Sequence, residues 1–443
     1  MVRSWYNRAR PLMRRVILKR KMRAGWALCG CVALLLCACG EPPALHLPRA
    51  NAESEDPRGL SWLSRQAIDA YLGLNSWWGI NSGYVAVFAR DGAVAHATTA
   101  GYADIEAEQP MAIDTRFRIA SMTKPVTAVA ALLLVEDGRL GLDDPVARYI
   151  PAAGALRVAT SPDFGPDGSI PTAPISRPLT VRDLLNFRSG MGSANDESDL
   201  GRVWGERRFR SGEGSLGDRV DRILTAPLYE QPGEQWRYGR SADVLARVVE
   251  VAADEPFDQF LQRRIFTPLG MDSTRYLPPL EERAGMATLY TQDEDQNLVR
   301  VEGRNPGGLS WTPGGSGLVS TAGDYLRFAL MLWNRGSYDG TRILAPETIA
   351  MMTQPHVPSG VLRDMGMEGL GWGLGIAVVV DPDATPMIDR KGDFWWSGYY
   401  GTTFFVSPET DLVGVVLTQN EPGPYSDWPI ALYIVQAAAH FGR

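Results

Sequence analysis

The spacing of apolar positions changes along the 443-residue chain. Trp62, Leu63, Ile68, Tyr71 and Leu72 recur at helical intervals and predict a helix over residues 61–75. Two β-rich runs follow, Gly83–Ala89 and Ala93–Ala97, on either side of Arg90-Asp91-Gly92. Asp-Gly between such runs predicts a tight hairpin, because both residues tolerate the left-handed backbone the turn needs. Residues 121–136 are apolar nearly throughout and predict a core helix that stops near Asp137-Gly138. From about 141 to 300, Pro and Gly loops alternate with the helical stretches Val181–Phe187, Asp218–Leu224 and Ala242–Ala253. Strand texture returns after 305, at Gly373–Val380, Thr402–Val406 and Leu412–Thr418. The last two flank the turn Pro408-Glu409-Thr410-Asp411, and an apolar helix over Ile430–Phe441 closes the chain. The expected fold class is α+β: an antiparallel sheet flanked by helices, split by a largely helical lobe at about 141–300. A pocket between the two lobes is the expected active site.

Composition adds little to this for most of the chain. With 45% hydrophobic and 21% charged residues it is ordinary globular material, and no linker or repeat divides residues 61–443. The N-terminus differs. Residues 1–23 hold nine Lys or Arg and no acid, and the apolar run Ala27–Leu36 follows. That order predicts a signal peptide over 1–38, with a run too short to span a bilayer comfortably. Met22 offers an alternative start that leaves a shorter signal. Leu36-Cys37-Ala38-Cys39 resembles the lipobox of bacterial lipoproteins, which implies lipid on Cys39 and a tether over 39–60. Gly40 follows rather than an aspartate, so the expected location is the outer membrane, facing the periplasm. Cleavage without lipid, giving a soluble periplasmic or secreted protein, is the alternative.

The four cysteines, at 29, 31, 37 and 39, all lie in this leader. A mature chain from Cys39 therefore has no internal disulfide and no catalytic or zinc-binding thiol. It carries 35 Lys and Arg against 51 Asp and Glu, a net charge of −16, which makes nucleic acid a poor partner.

Within that mature chain only two lysines remain, Lys124 and Lys391. Elsewhere the chain uses arginine for positive charge. Arginine keeps its proton in a protein, whereas a buried lysine can give it up. Lys124 stands three residues after Ser121, at the head of the predicted core helix. Positions three apart share a helix face, so the amine comes within reach of the hydroxyl. The helix N-terminus favours a developing oxyanion, and burial disfavours the charged amine. The plainer reading is an N-cap serine followed by a surface lysine.

Other chemistries lack their residues. The four histidines are His46 in the tether, His96 in a strand-like run, His356 in a Pro-flanked loop and His440 near the C-terminus. Of these only His356 is a candidate general base. No Gly-x-Ser-x-Gly elbow, metal-ligand cluster or phosphate-binding Gly-rich loop occurs, so no metal or cofactor is expected.

Ser121-Met122-Thr123-Lys124 resembles the first motif of the serine β-lactamase and penicillin-binding-protein superfamily, with class C β-lactamases and family VIII carboxylesterases nearest. The likeness covers roughly residues 62–440 and implies a β-lactamase/transpeptidase-like fold. Leu179–Leu185 with Ser189-Gly190-Met191, and Gly314–Tyr325, are similar to further family segments. Pro232–Tyr238 looks like the approach to the second motif, which implies that Tyr238 is the tyrosine of Tyr-x-Asn. A phenol beside a lysine can relay protons. Arg240 stands where the family often has Asn. Trp396-Ser397-Gly398 looks like the third motif, Lys-Thr-Gly in many β-lactamases. The resemblance implies that the N–H groups of Tyr399 and Ser121 form an oxyanion hole. Trp396 replaces a cation that would hold a β-lactam carboxylate, which resembles the esterase members. Lys391 reads as a surface lysine.

The resemblance therefore implies a serine hydrolase working through an acyl-enzyme on a small-molecule ester or amide, most readily a carboxylic ester. A β-lactam or a D-alanyl peptide as substrate, transfer of the acyl group to an alcohol, and a ligand-binding protein on the same scaffold are the alternatives. No pattern in the sequence specifies an oligomeric state.

Overall fold

The computed structural model describes residues 59–193, 197–206, 214–301, 308–357, 359–364, 368–385 and 390–422. The expected signal peptide, Cys39 and the expected closing helix over Ile430–Phe441 lie outside the described residues.

The predicted first helix is α1, Trp62–Trp77, capped by Ser61, whose hydroxyl accepts from the Ser64 N–H. The hairpin follows as β1 (Gly83–Arg90) and β2 (Ala93–Asp104). Arg90 pairs with Ala93, so Asp91 and Gly92 alone form the loop, at φ 49° and 78°. Those left-handed values are why this turn uses Asp-Gly. A short β3 (Gln109–Pro110) edges β2.

Five later strands join them: β4 (Leu370–Trp372), β5 (Ala377–Val379), β6 (Phe394–Ser397), β7 (Thr403–Ser407) and β8 (Leu412–Leu417). The sheet runs β4-β5-β6-β7-β8-β1-β2-β3, with antiparallel pairing at every step. The run Gly373–Val380 is thus not one strand. Trp372 pairs with Ala377, and Gly375, at φ 81°, turns the chain between β4 and β5. A Cβ on Gly375 would meet that of Ala128 at 2.5 Å, so the turn is pressed onto the core.

Every residue of β1 is buried. Val85, Val87 and Ala89 face one core, whereas Tyr84, Ala86 and Phe88 face the other, as a period of two requires. On the second face α1 adds Ile68 and Leu72, both fully buried. Each such side chain contributes about 1.5–3 kcal/mol.

On the first face the core continues into α2 (Thr123–Glu136), α3 (Val181–Leu185), α4 (Ser241–Ala253) and α5 (Ala322–Trp333); α5 packs on β1, β7 and β8, and α4 packs on α2 and α3. All residues of α2 from Thr123 to Leu134 are buried, hence its apolar character on every side. A small sheet of Phe117–Arg118, Leu318–Ser320 and Arg275–Tyr276 lies next to the start of α2.

Candidate active site

Ser121 does not open the α-helix. It is the middle residue of a 3-10 turn, Ala120–Met122, that leads into α2. Ala120 carries φ 44°, a left-handed value that costs a non-glycine residue about 1–3 kcal/mol. Surrounding bonds fix this turn. The Ile119 N–H donates to Leu318 O at 3.0 Å, and the Thr123 hydroxyl to Ala120 O at 2.7 Å. The Tyr325 phenol donates to Met122 O at 2.8 Å, and burial pushes that phenol well above its ordinary pKa, so it remains a donor.

Two polar groups converge on the serine. Lys124 Nζ lies 3.0 Å from Ser121 Oγ, and the Tyr238 phenol oxygen lies 2.7 Å from it. Lys124 is only 6% exposed, with Nζ 4.7 Å from the centre of the Tyr238 ring. The sequence placed Ser121 and Lys124 one turn apart; Tyr238 reaches them across 117 residues.

A third group orients the amine. Lys124 Nζ donates to Gly315 O at 2.6 Å. The Gly315 N–H donates to Asp243 Oδ1 at 2.8 Å, and Asp243 Oδ2 pairs with Arg240 Nη1 at 3.2 Å. The neighbouring Gly314 accepts from the Thr127 hydroxyl at 2.7 Å, and a Cβ there would stand 2.0 Å from Ala242 O. The Gly314-Gly315 run is therefore a backbone wedge between α2 and α4, which explains the paired glycines. Arg240 and Asp243 form a nearly buried pair and serve this wedge. Arg240, at the position where the family often has Asn, is thus engaged by Asp243.

Trp396 and Ser397 end β6, and Gly398 and Tyr399 continue past the serine turn. A Cβ on Gly398 would meet Ile119 O and Thr402 Oγ1 at 2.3 Å each, so only glycine allows this approach. The Gly398 N–H donates to Thr402 O at 2.7 Å, and the Thr402 hydroxyl to Ile119 O at 3.2 Å. Tyr399 follows, 40% exposed.

Sequence reading missed the wall behind Tyr238. Trp396 lies 5.7 Å from the Tyr238 ring and packs edge-on against Trp372 at 4.6 Å. Phe187 and Trp236 complete the cluster. Aromatic content around Tyr238 was visible, but only the fold brings these five rings together.

The remaining candidates stand apart from this chemistry. His96 Nε2 lies 2.8 Å from Asp69 Oδ1, on the α1 side of the sheet. His356 Nε2 lies 2.7 Å from Met351 O in its loop. Lys391 is exposed on the turn before β6. Among the described residues, no group of His, Cys, Asp and Glu could hold a metal ion.

Comparison with known proteins bears on the family and the fold. The family model described as Beta-lactamase matches residues 79–439. Protein Rv1367c of Mycobacterium tuberculosis is 36% identical over 335 residues, covering 73% of this chain and 82% of that protein. Esterase EstB of Burkholderia gladioli is 32% identical over 363 residues, covering 76% and 86%. Among solved structures, EstCE1, described as a hydrolase with promiscuous acyltransferase activity, superposes with TM-score 0.71. It is 27% identical, with 85% of this chain and 98% of that one covered. The fold is thus β-lactamase/transpeptidase-like, and the similarities support a serine hydrolase.

Proposed function

The chain belongs to the Beta-lactamase family, and we propose that within it this protein is a carboxylesterase acting through an acyl-enzyme on Ser121. The observation that carries this reading is the convergence of Lys124 Nζ and Tyr238 OH on one serine oxygen, at 3.0 and 2.7 Å.

Ser121 Oγ attacks the ester carbonyl carbon, and its proton passes to the Lys124–Tyr238 pair. The N–H groups of Ser121 and Tyr399 receive the negative charge on the carbonyl oxygen. As the tetrahedral intermediate collapses, the C–O bond to the alcohol breaks and the pair returns the proton to the leaving oxygen. Water then repeats the attack on the acyl-enzyme and releases the acid. An alcohol in place of water gives acyl transfer, the activity named for EstCE1.

The preference for esters rests on charge. Trp396 occupies the position at which many β-lactamases have a cation. The candidate replacements are engaged or remote: Arg240 pairs with Asp243, and Lys391 is exposed on a turn. Losing a charge-assisted hydrogen bond to a carboxylate costs about 1.5–3 kcal/mol. The test is the ratio of kcat/KM for p-nitrophenyl butyrate to that for a chromogenic cephalosporin. A strong preference for the ester supports the reading, and a preference for the cephalosporin replaces it with a β-lactamase. We place the enzyme on the periplasmic face of the outer membrane, held by lipid on Cys39. Failure of the wild-type protein to incorporate labelled palmitate at Cys39 would remove that placement.

A further inference from the structure

Several large apolar side chains are exposed at separate places, among them Trp62 and Leu63 at the start of α1, Phe164 and Leu280; four others share one end of the main sheet. Trp77 is 78% exposed, Trp78 63%, Tyr102 45% and Tyr399 40%. The strand registers put all four at one end of the main sheet. Ser397 pairs with Thr403, Thr403 with Val416, Leu417 with Val85, and Gly83 with Gly101. The end of β6, the start of β7, the end of β8, the start of β1 and the end of β2 are therefore neighbours. Four strand spacings separate β6 from β2, about 19 Å. Asn420 ties this end together: its N–H donates to Tyr400 O at 3.1 Å, and its Oδ1 accepts from the Ser82 N–H at 3.4 Å. The Ser76 hydroxyl donates to Ser82 O at 3.0 Å, which brings the end of α1, with Trp77 and Trp78, to the same place. The Trp77 and Trp78 ring centres are 6.4 Å apart. The row thus runs from the oxyanion turn beside Ser121 to the tryptophan pair.

We propose that this end of the sheet docks on a lipid bilayer, with Trp77, Trp78, Tyr102 and Tyr399 in the headgroup region, so that the mouth beside Ser121 receives amphipathic esters presented at that surface. The proposal rests on the esterase reading and on the Cys39 anchor. Trp and Tyr are the residues that settle at membrane interfaces, since each has an apolar body and a polar tip. Exposed rings aligned along one end of a sheet suit an interaction surface. The occupant follows from the chain that precedes α1. Nineteen residues lie between Cys39 and Gly59, a reach of at most about 70 Å. An acyl-anchored domain is thereby confined beside the leaflet. No helix among the described residues is long and apolar enough to cross a membrane, so the contact is a surface one. With a net charge of −16 in the mature chain, attraction to anionic lipid is not the force; burial of rings is.

The experiment uses the full chain reconstituted in phosphatidylethanolamine–phosphatidylglycerol vesicles, wild type against Trp77→Ser/Trp78→Ser. Two quantities are read: quenching of tryptophan fluorescence by bromine-labelled lipid, and kcat/KM for vesicle-borne p-nitrophenyl dodecanoate and for water-soluble p-nitrophenyl acetate. The proposal expects the double variant to lose most of the quenching and to fall about tenfold on dodecanoate, with acetate within about twofold and little dependence on salt. Quenching that is weak in wild type or unchanged in the variant overturns it and assigns the rings to a protein partner. An equal fall on both esters together with a lowered Tm also overturns it, because the rings then pack against this chain. Quenching that is lost as expected while wild type cleaves neither ester sustains the docking surface and removes the esterase reading instead.

Discussion

Asp243 and Lys124 never touch, yet each holds one side of the same residue. The Gly315 N–H donates to Asp243 Oδ1 at 2.8 Å, and Gly315 O accepts from Lys124 Nζ at 2.6 Å. A carboxylate on α4 thereby sets the position of an amine on α2.

Asp243→Asn should lower kcat on p-nitrophenyl butyrate by about ten- to a hundredfold, the scale of a lost supporting contact, with KM little changed. The Arg240 partner is lost as well, so thermal unfolding should also shift downward. A variant that unfolds earlier but keeps full kcat while folded would show that Asp243 is structural only.

In the proposed mechanism Lys124 shares in accepting the Ser121 proton. Lys124→Arg retains the charge but cannot accept a proton, and should be as inactive as Lys124→Ala. Near-normal turnover by the arginine variant would make the residue an electrostatic one.

Gly398 is where β6 meets the serine turn, with no room for a Cβ beside Ile119 O. Gly398→Ala should displace either the turn or Tyr399, costing about 1–3 kcal/mol in stability by overpacking. Because the displaced N–H is the proposed oxyanion donor, kcat should fall about a hundredfold or more. Unchanged kcat in the folded variant would place the oxyanion contact elsewhere.

Trp396→His should move the specificity ratio toward the cephalosporin by about one decade, the lower bound for one charge-assisted bond. The ring also packs against Trp372 and Tyr238, so the variant should be less stable than wild type. Specificity is therefore compared well below the Tm of the variant. An unchanged ratio would mean that Trp396 is a wall and not the selector.

Much of this was legible in the sequence where the signal is local. The Asp91-Gly92 loop, the spacing of Ile68 and Leu72, and the apolar run of α2 each fix their element within a few residues. The scarcity of lysine pointed to Lys124 before any geometry. What the sequence hid depends on contacts between distant segments. Phe187, Trp236, Trp372 and Trp396 come from separate elements, and their clustering appears only once β4 and β6 share a sheet with α3 nearby. The left-handed Ala120 has no glycine to announce it, because the surrounding hydrogen bonds impose the conformation. Gly373–Val380 reads as one strand because its turn glycine, Gly375, sits among apolar residues that the core buries.

The central claim is that Ser121 is the nucleophile. It is tested most directly by reacting the wild-type protein with a fluorophosphonate, mapping the adduct by mass spectrometry, and measuring p-nitrophenyl butyrate hydrolysis by Ser121→Ala alongside its thermal unfolding. The account predicts one adduct, on Ser121, and a variant that unfolds near the wild-type Tm with activity reduced at least about a thousandfold. An adduct on another residue, or a folded Ser121→Ala protein that still turns over the ester at a substantial rate, would contradict it.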